Sequence, residues 1–365
     1  MATVQANHAD DTFLPGVGKG EPWFGEYKTG QEQINPSEFE ARMLGLTINY
    51  DLDFATLTSV TSTQELTFGQ TIDLTIPFAG FADLFFPETA PHSSAVLAAE
   101  LGFDKVTQEL RLTSSSDQQL QWILGAFYAK EEGFNIQDLQ VTPSAPLYFG
   151  NFPSDYEEVS LFGNLTYEFN DQFDTSVGIR YSDYENDVQL QAIGPLLAPL
   201  ALNEITDDFT SYLFNLRYRP NDQLALYARA ASGYRPGGAN FVLLDPTGAP
   251  LTREFFEPDT LWSYEIGAKG SLADGRLVYD LAAFYIDWED YQIQVVRSGV
   301  AVASNAEKAV SKGLEASLSF AATDALTLRS TLSFTNAELA ADAVPPTDRW
   351  CRTEVAFPLS RQTRA

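Results

Sequence analysis

Apolar and polar residues alternate along most of this chain. In "LFGNLTYEF", Leu161, Gly163, Leu165, Tyr167 and Phe169 fall on one side, and Phe162, Asn164, Thr166 and Glu168 on the other. In "FDTSVGIRY", Phe173, Thr175, Val177, Ile179 and Tyr181 oppose Asp174, Ser176, Gly178 and Arg180. "YLFNLRYR" (212–219) and "LTLRSTLSF" (326–334) repeat the pattern. A period of two is the mark of a strand with one apolar face. Here that face ends in aromatics, while the other carries Arg, Glu, Asp, Asn and Thr. The pattern predicts about twelve strands, near 39–50, 53–68, 105–115, 120–132, 156–169, 173–187, 206–219, 224–235, 262–272, 276–289, 305–320 and 326–338. Each reaches or exceeds the roughly 10 residues that cross a bilayer as a tilted strand.

Short polar turns are expected at 49–54, 114–119, 169–173, 219–223, 272–276 and 321–325, and most recur roughly every 50 residues. Long irregular stretches at 69–104, 133–155, 187–206 and 235–262 join the other ends. Short connections at one end and long ones at the other describe an all-β, antiparallel transmembrane barrel meander. Helical spacing is confined to "SSAVLAAELGF" (93–103), where a short loop helix is expected. In "LAAFYIDWEDYQIQVV" (281–296), the strand presents Leu277, Tyr279, Leu281, Ala283 and Tyr285 to lipid. Trp288 is expected near the interfacial girdle, and Asp287, Glu289 and Asp290 in water. Pairing satisfies a strand's backbone, so its inward face is free to be polar. That inward face holds Arg180, Arg217, Arg219, Arg229 and Arg329, which are expected to line a lumen.

Composition narrows the choices. The 365 residues are 44% hydrophobic, 20% charged and 13% aromatic, with 26 Phe and 16 Tyr. Disorder is excluded by this balance, and the aromatic content suits β structure and membrane girdles. A net charge of −28 excludes nucleic acid as a partner, since phosphate binding needs a basic face. One cysteine, Cys351, allows no intrachain disulfide, and two histidines, His8 and His92, supply too few soft ligands for a zinc or iron site. The opening "MATVQANHADDTF" lacks the basic start and apolar run of a signal peptide. No stretch approaches the roughly 20 apolar residues of a spanning helix. Taken alone, those two observations describe a soluble cytoplasmic protein; spanning strands remove that inference.

Enzymatic motifs are weak. "GVGKG" (16–20) follows no strand and lacks a closing Gly-Lys-Ser/Thr. Adjacent acids such as Glu131–Glu132 and Glu289–Asp290 point to opposite faces of a strand and read as a solvated rim. "DWED" (287–290) lacks the spacing of a calcium loop. His92 is the only plausible base for a Ser–His–Asp set, and no nucleophile elbow accompanies it. No cofactor is expected.

Four stretches, in order, resemble TonB-dependent outer-membrane receptors. These are "VTQELRLTSSSDQQLQWILGAFYAKEE" (106–132), "LYARAASGYRPGGANF" (226–241), "LWSYEIGAKGSLADGRLVYDLAAFYIDWEDYQIQ" (261–294) and "NAEKAVSKGLEASLSF" (305–320). The resemblance spans about residues 40 to 340. It implies an outer-membrane receptor that binds a scarce nutrient, most often a ferric siderophore, performs no chemical step, and is driven by the TonB–ExbB–ExbD machinery. It implies a barrel of about 22 strands around an N-terminal plug. Neither plug nor TonB box is recognisable here, so the chain reads as part of a barrel, with partners in outer-membrane lipid, TonB and the ligand. Residues 1–38 read as an irregular loop or partial strand, 39–340 as the partial barrel, and 341–365 as an irregular tail. That tail loses the alternation, and a shifted or truncated reading frame is its leading explanation. The resemblance further places ligand contacts on extracellular loops, at Phe85, Phe86, Tyr148, Phe149, Phe152, Arg235, Asn240 and Phe241, and plug docking at the five lumen arginines. Two alternatives stay open: a general porin-like channel, and a soluble β-rich secreted carbohydrate-active enzyme.

Overall fold

The structure is a computed structural model that describes residues 36–340, apart from 76–81, 84–85, 116–117, 145, 190, 194–201, 241–252 and 298–299. In chain order its strands are β1 (Ser37–Asp51), β2 (Ala55–Asp73), β3 (Ser94–Ser114), β4 (Leu120–Thr142), β5 (Tyr148–Asn151), β6 (Ser154–Asn170), β7 (Phe173–Gln189), β8 (Gln191–Ile193) and β9 (Leu202–Asn221). They continue with β10 (Leu224–Arg235), β11 (Gly238–Ala239), β12 (Phe255–Phe256), β13 (Asp259–Leu272), β14 (Leu277–Glu289), β15 (Gln292–Arg297), β16 (Val300–Asn305), β17 (Lys308–Thr323) and β18 (Leu326–Leu339). The long strands form one antiparallel meander in the order β1-β2-β3-β4-β6-β7-β9-β10-β13-β14-β17-β18. Among the described residues β1 and β18 each pair on one side only, so the wall is not closed.

All six short turns fall where the polar spacing places them. The long connections differ from expectation: β3 and β4 run deep into the 69–104 and 133–155 stretches. The helix expected at 93–103 is strand. Ala98 and Ala99 pair with Thr71 and Gln70 of β2 on one side and with Asp138 and Gln137 of β4 on the other. Two full hydrogen-bonded ladders outweigh the weak helix preference of alanine.

The two faces have different characters. Outward from the sheet stand Leu161, Leu165, Val177, Ile179, Phe214 and Ile266, large apolar side chains left exposed. Aromatics bound this band at both ends. At the end of the long connections are Tyr181, Tyr212, Trp262, Tyr264 and Tyr285, with Tyr212 and Trp262 stacked at 6.3 Å. Tyr167, Phe169, Phe173 and Tyr218 lie near the short turns, with Phe173 and Tyr218 stacked at 4.3 Å. From Phe173 to Tyr181 the strand runs about 26 Å, which at the usual barrel tilt rises about 20 Å and spans most of the roughly 25 Å apolar band of an outer-membrane barrel. Above the upper belt, Asp104, Glu132, Asp155 and Asp187 stand directly opposite one another across β3, β4, β6 and β7, all exposed. Trp288 departs from expectation. Its neighbours Asp287 and Glu289 share the outward face, so Trp288 points inward, under Arg235.

A buried apolar cluster lies beyond the wall, where the extended β3 and β4 meet β5. Ala82, Ala95, Leu139, Val141 and Leu147 form it, with Leu74, Phe86, Leu97 and Tyr148 packed against it.

Candidate functional site

The inward face is polar and internally paired. Arg180 Nη2 donates to Glu158 Oε1 at 2.8 Å and to Ser160 Oγ at 2.9 Å, and its Nε donates to Ser182 Oγ at 3.2 Å. The guanidinium also lies over Phe127, 5.0 Å from the ring centroid. Nearer the short turns, Asp174 is buried and accepts from Arg217 Nε at 2.8 Å, with Arg219 Nη2 at 3.1 Å. Alternation puts all these groups on the face opposite the lipid-facing residues, because neighbours on a strand point to opposite sides. Arg229 and Arg329 share that face and hold no hydrogen bond or ion pair to a described residue; Arg229 stands directly opposite Glu265 in the register, and Tyr227 Oη donates to Glu265 at 2.6 Å.

The rim candidates are mostly occupied by structural contacts. Phe86 and Tyr148 pack on the buried cluster, and Phe152 is itself buried. Phe149, 41% exposed on β5, is the one of this group that offers its ring to solvent. Arg235 Nε donates to both oxygens of Asp259, at 3.1 and 2.9 Å, and its Nη2 also donates to that carboxylate. Asp259 is 1% exposed, and Arg235 lies over Trp288 and Tyr291. The indole N–H of Trp288 is buried and meets no acceptor among the described residues. Asn240 is buried and bonds Ala303 in both directions, at 2.7 and 3.0 Å. Phe85 and Phe241 lie outside the described residues.

One cluster escaped sequence reasoning. His92, whose side chain is fully buried, places Nδ1 2.7 Å from Asp83 Oδ1 and Nε2 2.6 Å from Ser144 Oγ. Thr89 Oγ1 bonds Ser144 Oγ and lies 3.3 Å from His92 Nε2. Ser144 sits more than fifty positions from its partner, so no local motif announces the set. The order Asp–His–Ser is that of a hydrolytic triad. A reacting carbonyl would further need oxyanion donors beside a free serine oxygen, and here the serine oxygen is held by Thr89. The contacts tie residues 83, 89–92 and 144 together. The hydrogen bond from His92 holds the Asp83 carboxyl below its ordinary value.

Two shallow grooves on the wall's outer side, of about 480 and 880 Å³, are lined by Phe214, Ile266, Ala283, Leu314 and Phe334 among others, and are relief on the lipid-facing surface.

An antiparallel meander with an apolar, aromatic-belted outside and a charge-paired inside is the wall of an outer-membrane β-barrel. The family model described as TonB dependent receptor-like, beta-barrel, matches residues 3–352, and the chain belongs to that family. A pesticin receptor of Yersinia enterocolitica is 27% identical over 232 residues, 63% of this chain and 33% of that protein. The metal-pseudopaline receptor CntO of Pseudomonas aeruginosa is 25% identical over 197 residues, 53% of this chain and 26% of that protein. The crystal structure of the ferric yersiniabactin uptake receptor FyuA from Yersinia pestis superposes with a TM-score of 0.69 at 19% identity, covering 85% of this chain and 44% of that one. The match thus spans about a quarter to a third of the length of these curated relatives. The relatives are receptors and transporters, not enzymes, and barrels of this family lie in the outer membrane.

Proposed function

We propose that this chain is part of the barrel of a receptor that takes up a metal chelate, with a ferric siderophore as the leading ligand. The observation that carries the proposal is the inward face: charges that no lipid-facing or tightly packed sheet would tolerate, most of them paired along the wall. Relatives named for ferric yersiniabactin and for metal-pseudopaline support a chelate in general. In this reading Phe149, with Phe85 and Phe241, meets the ligand. Phe86, Tyr148, Phe152, Arg235 and Asn240 shape the loops that present it. Arg229 and Arg329 are the inner-wall cations available to carboxylates of a plug, while Arg180, Arg217 and Arg219 line the lumen already paired. Energy would come from the TonB–ExbB–ExbD system through that plug.

The test is uptake of radioiron supplied as ferric siderophores of several chemical classes, in cells with and without the gene and with and without TonB. Uptake that needs both supports the reading. Uptake unaffected by loss of TonB would leave a porin-like channel, and uptake of other metal chelates alone would keep the receptor and replace iron.

A further inference from the structure

Two successive connections at the rim are stitched to each other rather than lying free. One joins β10 to β13 and the other joins β14 to β17. Asn305 accepts from the Glu257 N–H at 2.9 Å, and its Nδ2 donates to the carbonyls of Glu257 at 2.9 Å and Asp290 at 2.7 Å. Gln292 Nε2 donates to the carbonyls of Pro236 at 2.8 Å and Glu257 at 3.1 Å. Asn240 bonds both backbone groups of Ala303. Beneath them the buried Asp259 accepts from Arg235 and from the Gln292 N–H at 3.0 Å.

These side-chain amides do the work of strand pairing between segments that are not adjacent strands. Asn and Gln carry both donor and acceptor, so each can close a two-way contact with another backbone. Asn240 and Ala303 do this across sixty-three positions of sequence. Asp259 sits where the ends of three elements converge, namely the end of β10, the start of β13 and the start of β15. Pulling any one of them away would leave a buried carboxylate short of a donor, which is strongly unfavourable.

We propose that residues 236–240 and 254–257 of the first connection and 290–292 and 303–305 of the second are one clamped strap, hinged on Asp259, that moves as a single body. Displacing one set therefore displaces the other, and the hairpin β15–β16 is positioned by contacts made outside itself. The receptor reading supplies only the orientation of this rim.

Hydrogen exchange on the protein in outer-membrane vesicles tests the strap without any ligand. Asn305→Ala is expected to speed exchange about tenfold at Gly238 and Ala239, which Asn305 does not touch. Asn240→Ala is expected to speed exchange similarly at Phe255–Glu257 and Tyr291–Gln292. Acceleration confined to the residues that each side chain contacts would overturn the proposal. So would loss of heat-modifiable gel mobility in both variants, because the contacts would then hold the barrel instead of the rim. Either failure leaves the receptor reading standing, since that rests on uptake.

Discussion

The ring of Tyr227 lies across Gly267, its directly opposed partner on the neighbouring strand. A Cβ on that glycine would sit 2.5 Å from the ring. Phe162 covers Gly125 and Phe284 covers Gly313 in the same way, each pair directly opposed and facing inward. A ring laid over a facing glycine keeps its bulk against the wall and shields a backbone that has no side chain of its own. Gly267→Val is expected to lift the Tyr227 ring, break its bond to Glu265, and cost about 1–3 kcal/mol. Gly45→Val, where nothing lies within 4 Å, is the control and should leave the barrel's urea midpoint unchanged.

Ile266 is 64% exposed on the outward face, two residues below Tyr264 of the upper belt. Ile266→Arg should destabilise the barrel by about 1–3 kcal/mol, between the cost of a cation at mid-bilayer and at the interface. Ser263→Arg, on the inward face of the same strand, should be far milder. Refolding into detergent or lipid followed by urea titration reads both. Equal tolerance of the two would mean that the greasy side does not meet lipid.

Asp174→Ala leaves Arg217 and Arg219 side by side without their shared carboxylate. The expected loss is roughly 1–3 kcal/mol, less than for a fully buried pair because both guanidinia keep a third or more of their surface in water. The temperature at which heat-modifiable mobility disappears measures it, and Asp174→Glu should recover part of the loss.

The Asp83 carboxyl, lowered by its hydrogen bond from His92, gives a pH dependence whose sign is fixed. A carboxyl held below its unfolded value stabilises the loop above about pH 4 and loses that contribution as pH falls through its lowered folded value. The protection factor of the His92 amide, which donates to Asp83 at 2.8 Å, measured against the intrinsic exchange rate at each pH, should therefore fall in acid. In Asp83→Asn that fall should vanish, and its persistence would assign the acid sensitivity to another group.

The wall was legible because alternation is a local property: each residue's side follows from its neighbours. Turns at "FNDQF" and "RPNDQ" were legible for the same reason. What the pattern missed depends on partners distant in the chain. The stretch 93–103 looks helical until β2 and β4 are placed on both of its edges. Trp288 was expected near the lipid belt because it is aromatic, yet its parity sends it inward to Arg235. Arg235 and Asn240 stand out in sequence as polar loop residues, but their contacts with Asp259 and Ala303 appear only once separate connections are brought together. The Asp83–His92–Ser144 cluster is of the same kind.

The row of Asp104, Glu132, Asp155 and Asp187 has a mechanical meaning. Carboxylates cannot sink into hydrocarbon, and the tyrosines and Trp262 beneath them resist leaving it, so together they draw a waterline that stops the sheet from bobbing. Everything above that line in β3, about 30 Å of paired strand from Asp104 back to Ser94, is a mast standing clear of the bilayer, and Phe149 is carried on it, level with Ala98.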